Sequence, residues 1–337
     1  MYYWKRFLSI LTLCLVPFFA SSSNNGKEVV VYVTSWSEDI PDPSYATVIN
    51  YAFAHVNATF DGVDIDNMER LRTILDLKKQ NLDLKVVLSV GGWKSGGFSE
   101  MASDARNRRV FAWNCRKLIW NMGLDGIDID WEYPTTDVAG ISALPEDTRN
   151  FTLLMKELRT IIGPKRLLTF ASVSSAEYIN YREVAGYVDY VNVMTYDMGL
   201  PPFHNAPLYN SKYVQNISVA DAVRRHLDAG IPKDKLVLGV PFYGHGVESF
   251  PAEVKNTEVQ LVSGYFYNWD DDAKVPYLTD RRGSFAYSYD DVRSLELKCQ
   301  YIVEQGLRGV MCWSNEGDDE EGTLLGTVFN GVTQTPQ

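Results

Sequence analysis

Asp128, Asp130 and Glu132 stand two residues apart in the run Leu124-Asp125-Gly126-Ile127-Asp128-Ile129-Asp130-Trp131-Glu132. Alternate side chains of an extended strand share a face, so the three carboxyls project together while Ile127, Ile129 and Trp131 cover the other side. Three adjacent acids on an inward face do not all ionise cheaply, and a shared proton is expected among them. Glu132 comes last in the run and so lies nearest an open strand end. A carboxyl kept protonated there by its acidic neighbours is what a general acid requires. A divalent-cation site is the weaker reading, because hard cations usually gather oxygens from several loops. A solvated strand edge is weaker still, since the rest of the strand is apolar. The similar alternation Asp61-Gly62-Val63-Asp64-Ile65-Asp66 sits in polar sequence and is assigned no chemistry; Asp66 is read there as a helix N-cap.

What must hold such a strand is a series of short apolar runs: Val29–Trp36, Thr47–Val56, Lys85–Gly92, Leu124–Glu132, Leu167–Ser174, Val188–Asp197, Leu236–Gly244 and Arg308–Ser314. Several are continuously apolar, as strands buried on both faces should be. Helical spacing fills the gaps at Asn67–Gln80, Arg106–Met122 and Tyr289–Gln305. It also places Phe151, Leu154, Met155, Leu158, Ile161 and Ile162 on one face. Ser218 reads as an N-cap of a helix that Gly230 closes. Eight strands alternating with helices predict an α/β protein, a (β/α)8 TIM barrel whose site lies at the C-terminal strand ends. An open doubly wound sheet fits less well, because Val33–Asp39 (VTSWSED) carries no glycine-rich phosphate loop. The barrel is expected over residues 27–330. A small inserted subdomain is expected at about 245–288, between the seventh strand and the seventh helix, with Val259–Tyr267 strand-like.

The chain has 337 residues and a formal charge of −11, which disfavours nucleic acid as a partner. It carries 8 Trp, 20 Tyr and 15 Phe, enough to suggest faces that stack on flat ligands. Residues 1–22 read as a signal peptide: Lys5 and Arg6 precede the apolar run Phe7–Ala20, which is too short to span a bilayer. The protein is therefore expected outside the cytoplasm, secreted or periplasmic, with no membrane span and as a monomer. A lipid anchor at Cys14 is disfavoured because Leu13 stands where a small residue should. Cys115, Cys299 and Cys312 are odd in number and read as buried thiols rather than a disulfide framework. His55, His204, His226 and His245 show no metal-ligand spacing, and neither metal nor cofactor is expected.

The ladder Asp125-Gly126-Ile127-Asp128-Ile129-Asp130-Trp131-Glu132 resembles the signature of glycoside hydrolase family 18, the chitinase-like (β/α)8 enzymes. Further segments resemble that family in order along the chain: Ser89-Val90-Gly91-Gly92-Trp93, Met194-Thr195-Tyr196-Asp197, Gly239-Val240-Pro241-Phe242-Tyr243-Gly244, Tyr289-Asp290-Asp291 and Gly309-Val310-Met311-Cys312-Trp313. The resemblance implies a substrate-assisted mechanism, an exception to the two-carboxylate scheme. Glu132 would protonate the glycosidic oxygen and then deprotonate water. Asp130 would orient the substrate's 2-acetamido group, Asp128 would share a proton with Asp130, and Ser89 would support Asp128. Tyr196 would donate to the acetamido carbonyl, and Trp313 would floor one sugar ring. Tyr32, Phe53, Trp93, Met194, Asp197 and Tyr243 would line the same cleft, while Asp125 would be structural.

Many relatives carry an arginine after the seventh-strand motif, where this chain has His245. His204 and Asn205 receive no role. The implied substrate is a β-1,4-linked N-acetylglucosamine polymer or oligomer. The alternatives are an endo-β-N-acetylglucosaminidase acting on N-glycans and a catalytically weak chitin-binding lectin. The inserted segment is short, which predicts a shallow groove.

Overall fold

A computed structural model of the protein describes residues 26–251 and 254–334. The signal-like segment 1–22, with Cys14, lies outside the described residues. In chain order the strands are β1 (Glu28–Thr34), β2 (Val48–Val56), β3 (Val63–Ile65), β4 (Lys85–Gly91), β5 (Gly126–Asp130), β6 (Leu167–Val173), β7 (Tyr190–Met194) and β8 (Leu236–Pro241). They continue with β9 (His245–Gly246), β10 (Phe266–Asp270), β11 (Val275–Thr279), β12 (Phe285–Ser288) and β13 (Gly309–Trp313). The helices are α1 (Met68–Asp76), α2 (Phe98–Ser103), α3 (Ala105–Met122), α4 (Asp147–Ile162), α5 (Tyr181–Val184), α6 (Val219–Ala229), α7 (Val292–Gln305) and α8 (Thr323–Thr333).

Eight strands pair in parallel in the order β1-β13-β8-β7-β6-β5-β4-β2, and β2 pairs back onto β1 to close the barrel. All eight apolar runs supply a barrel strand. Their outward residues meet the helices; Trp131 stacks on Phe98 at 5.3 Å and lies 6.2 Å from Phe151, tying the segment after β5 to α2 and α4. Helix ends follow local chemistry. Ser218 and Asp221 form a capping box on α6, and Gly230 ends it at φ 109°, a conformation glycine adopts without a Cβ clash. Asp291 caps α7, and the preceding Asp290 is buried in an ion pair with Lys298 at 2.7 Å, so the Tyr289-Asp290-Asp291 segment anchors a helix.

Two local expectations need correcting. The cap of α1 is Asn67, which accepts from Arg70 N at 3.2 Å, not Asp66. Asn67 takes the left-handed φ of 47° that its short polar side chain tolerates, which leaves the Asp66 carboxylate to His55 Nε2 at 3.0 Å. Val259–Tyr267 is not one strand. A 3-10 turn (Asn256–Leu261) buries Val259 among Phe250, Leu278, Tyr287 and Tyr289, and extended structure begins only at Phe266. Between β8 and α7 the chain forms an antiparallel sheet in the order β10-β11-β12-β9. Cys115, Cys299 and Cys312 are free and buried. Among the described residues, no helix is long and apolar enough to cross a membrane.

Backbone approach beneath the mouth is close at Gly91, where φ is +127° and an added Cβ would fall 1.9 Å from the Asp130 carbonyl oxygen. Gly91→Ala is therefore expected to push β4 off β5 and cost about 1–3 kcal/mol, the usual penalty of overpacking. Urea unfolding measures it, and a midpoint equal to wild type would show that the ladder tolerates the extra carbon.

Candidate active site

β5 lifts its two acids to different depths. Asp128 is fully buried, and its register partners are Ser89 on β4 and Thr169 on β6. Its Oδ2 accepts from Tyr32 Oη at 2.7 Å and Ser89 Oγ at 2.8 Å, while Oδ1 accepts from Thr169 Oγ1 at 2.6 Å and Asn192 Nδ2 at 3.2 Å. Four strands thus each contribute one donor. Burial raises the Asp128 pKa, and these four bonds work against the rise. Donors from neighbouring strands thus occupy both Asp128 oxygens.

Asp130 is buried, and its Oδ1 has no hydrogen-bond partner among the described residues. Burial, then the charges of Glu132 and Asp128, drive its pKa well above the ordinary range. Glu132 lies two residues beyond β5. Burial lifts its pKa to about 7, with a push from Asp197 and an opposing hydrogen bond from Tyr133. The carboxyl at the mouth is thus held near half-protonation at neutral pH, as a group that must give and then retrieve a proton should be.

A cleft of about 700 Å³ opens above these acids. Of the residues expected there, Tyr32, Phe53, Trp93, Asp130, Glu132, Met194, Tyr196, Asp197 and Trp313 line it. Asp128 and Ser89 lie beneath it. Tyr243 stands beside it, facing a neighbouring hollow that Trp313 also borders, and reaches the site through Asp197 at 2.6 Å. Trp313, at the end of β13, rests on Tyr32 and Phe53 with ring centroids 5.4 and 5.7 Å away. Tyr196 is buried and, among the described residues, its hydroxyl meets only the Met311 sulfur, at 3.8 Å, leaving its hydrogen-bonding capacity largely unused. Asp125 accepts from Val86 N at 2.8 Å and Lys78 Nζ at 2.6 Å at the opposite end of the barrel.

Sequence reasoning passed over Trp36, His55, Tyr133 and Tyr178, which also line the cleft. Trp36 and Trp93 are 63% and 52% exposed, a cost in water that suits a face awaiting a ligand. Tyr133 stacks on Tyr178 at 5.5 Å. The position of Trp36 and Tyr133 just past strand ends was the available signal; Tyr178 had none.

The arrangement combines a carboxyl poised near neutrality, a second acid buried beside it and aromatic walls, which suits acid-assisted cleavage of a flat-faced polyhydroxylated ligand. A model of the family described as Glycosyl hydrolases family 18 matches residues 28–318. Chitinase A1 of Niallia circulans is 32% identical across 92% of this chain; the chain spans 60% of that protein's length. A solved family 18 N-acetylglucosaminidase from Paenibacillus barengoltzii superposes with a TM-score of 0.82 at 34% identity, covering 90% of this chain and 99% of the other. Group IV chitinase of Ostrinia furnacalis gives 0.82 at 31% identity, covering 91% and 100%.

Because Glu132 titrates at about 7 against an ordinary 4.5, two consequences follow for pH. Activity that needs its proton should decline as pH rises through about 7. The raised pKa also means that stability present below 4.5 is lost as pH climbs through 7. Glu132→Gln should therefore melt higher than wild type at pH 8 and gain less at pH 4. Melting curves at the two pH values check this, and a pH-independent offset would contradict it.

Proposed function

The chain belongs to family 18 of the glycosyl hydrolases, and we propose that it hydrolyses β-1,4-linked N-acetylglucosamine chains with retention, using the substrate's acetamide as nucleophile. The observation that carries this is the Glu132 carboxyl, poised at about 7 on the wall of an aromatic cleft with Asp130 buried beside it. Glu132 gives its proton to the glycosidic oxygen as the bond to the anomeric carbon breaks. The acetamido carbonyl oxygen bonds to that carbon, forming an oxazolinium ring. Asp130 accepts from the acetamide N–H and offsets the developing positive charge. Tyr196 donates to the carbonyl oxygen and holds it in attacking position. The deprotonated Glu132 then takes a proton from water, whose oxygen displaces the acetamide and restores it. Trp313 supplies the floor for the ring that reacts. The first 22 residues are taken to direct export.

Similarity to a family 18 N-acetylglucosaminidase favours a second reading, release of single N-acetylglucosamine units. Among the described residues of 245–288 none lines the cleft, which fits a shallow groove with few subsites.

Mass analysis of products from N-acetylglucosamine hexamer and, separately, a high-mannose glycoprotein tests the substrate assignment. Shortened oligomers are expected from the first and none from the second; cleavage of the glycoprotein alone would reverse the assignment, and no product from either would leave a binding protein. Glu132→Gln should lower kcat by about 10²–10⁴ while oligomer binding survives. Near wild-type turnover in that variant would remove Glu132 from the role of acid.

A further inference from the structure

The sheet inserted between β8 and α7 contributes no side chain to the cleft lining, yet it reaches Asp197 by two routes. The first is direct. His245 opens β9, and its Nε2 lies 2.7 Å from Asp197 Oδ1. The second passes through the backbone. β12 pairs Ser288 with His245, Ser288 Oγ accepts from Asn205 N at 2.8 Å, and Asn205 Oδ1 accepts from Asp197 N at 2.7 Å. His245, Ser288, Asn205 and Asp197 thus close a ring that fixes both ends of one residue. Asp197 needs this support, because it holds a left-handed φ of 56° at the open end of β7, with its side chain 60% exposed. Tyr243 Oη donates to the same Oδ1 at 2.6 Å, and its ring meets the His245 imidazole edge-on at 5.5 Å.

We infer that His245 is a positioning residue: through it the inserted sheet sets the Asp197 carboxylate, so that with Oδ1 taken by two donors, Oδ2 is presented to the cleft as a directional acceptor for a sugar hydroxyl or amide N–H. The inference rests on the substrate proposed above. It assigns the insertion a role in recognition that needs no wall over the groove. A compact imidazole spans from β9 to Asp197 and leaves the carboxylate one free oxygen.

The test is a double-mutant cycle on binding of N-acetylglucosamine tetramer by calorimetry, in the Glu132→Gln background so that ligand is not consumed. His245→Ala should weaken binding about tenfold, the worth of a hydrogen bond to a charged group. It should have little further effect once Asp197→Ala is present. His245→Gln, which restores an N–H donor, should recover most of the loss. In the enzyme with Glu132 intact, His245→Ala should raise KM on the tetramer more than it lowers kcat. Unchanged affinity, or losses that simply add to those of Asp197→Ala, would overturn the inference. If Glu132→Gln alone binds no tetramer, the substrate assignment fails and this inference falls with it; if it binds and His245→Ala binds equally, only the positioning role fails.

Discussion

Asp128 has no contact with solvent, and the chemistry above it depends on how its two oxygens are satisfied. An unpaired carboxylate in a barrel interior is strongly unfavourable, and ionisation survives there only with several donors. Tyr32, Ser89, Thr169 and Asn192 supply them from β1, β4, β6 and β7, positions that an ordinary barrel would fill with branched aliphatics. With that foundation saturated, Asp130 and Glu132 inherit an environment of burial and like charge that opposes further ionisation. The Asp130 pKa is raised by burial and then by the charges of Glu132 and Asp128, and that of Glu132 by burial with a push from Asp197.

A gradient of exposure runs along the same strand direction. Asp128 is sealed, Asp130 retains an unpartnered oxygen, and Glu132 lines the cleft. Each step up replaces protein donors by space for a ligand. The aromatic residues complete the gradient, from Tyr32 and Phe53 packed under Trp313 to Trp36 and Trp93 standing in solvent. Chemistry and binding therefore share one axis, set by the two-residue period of β5 and extended by the loops that follow the strands.

The barrel strands were readable because burial on both faces leaves continuous apolar runs that little else in a soluble chain produces. The ladder was readable because a period of two on an apolar strand admits few other uses. Asn67 displaced Asp66 as a cap through a backbone conformation that composition does not announce. The 259–267 stretch misled because a single buried valine in a 3-10 turn mimics the start of a strand. The four donors on Asp128 come from four separate strands, a coincidence in space rather than in sequence. The same holds for Asn205 and Ser288, whose importance appears only when two loops and an inserted sheet meet at Asp197.

The central claim is that the nucleophile belongs to the substrate. The most direct measurement is nuclear magnetic resonance of freshly released sugar from N-acetylglucosamine oligomers, run beside fully deacetylated oligomers of the same length. Two successive displacements at one carbon retain configuration, so the β-anomer should appear first, and the deacetylated oligomers should remain uncut because an amine cannot close the oxazolinium ring. An initial α-anomer, or efficient cleavage of the deacetylated oligomers, would mean that an enzyme carboxylate or an activated water attacks instead.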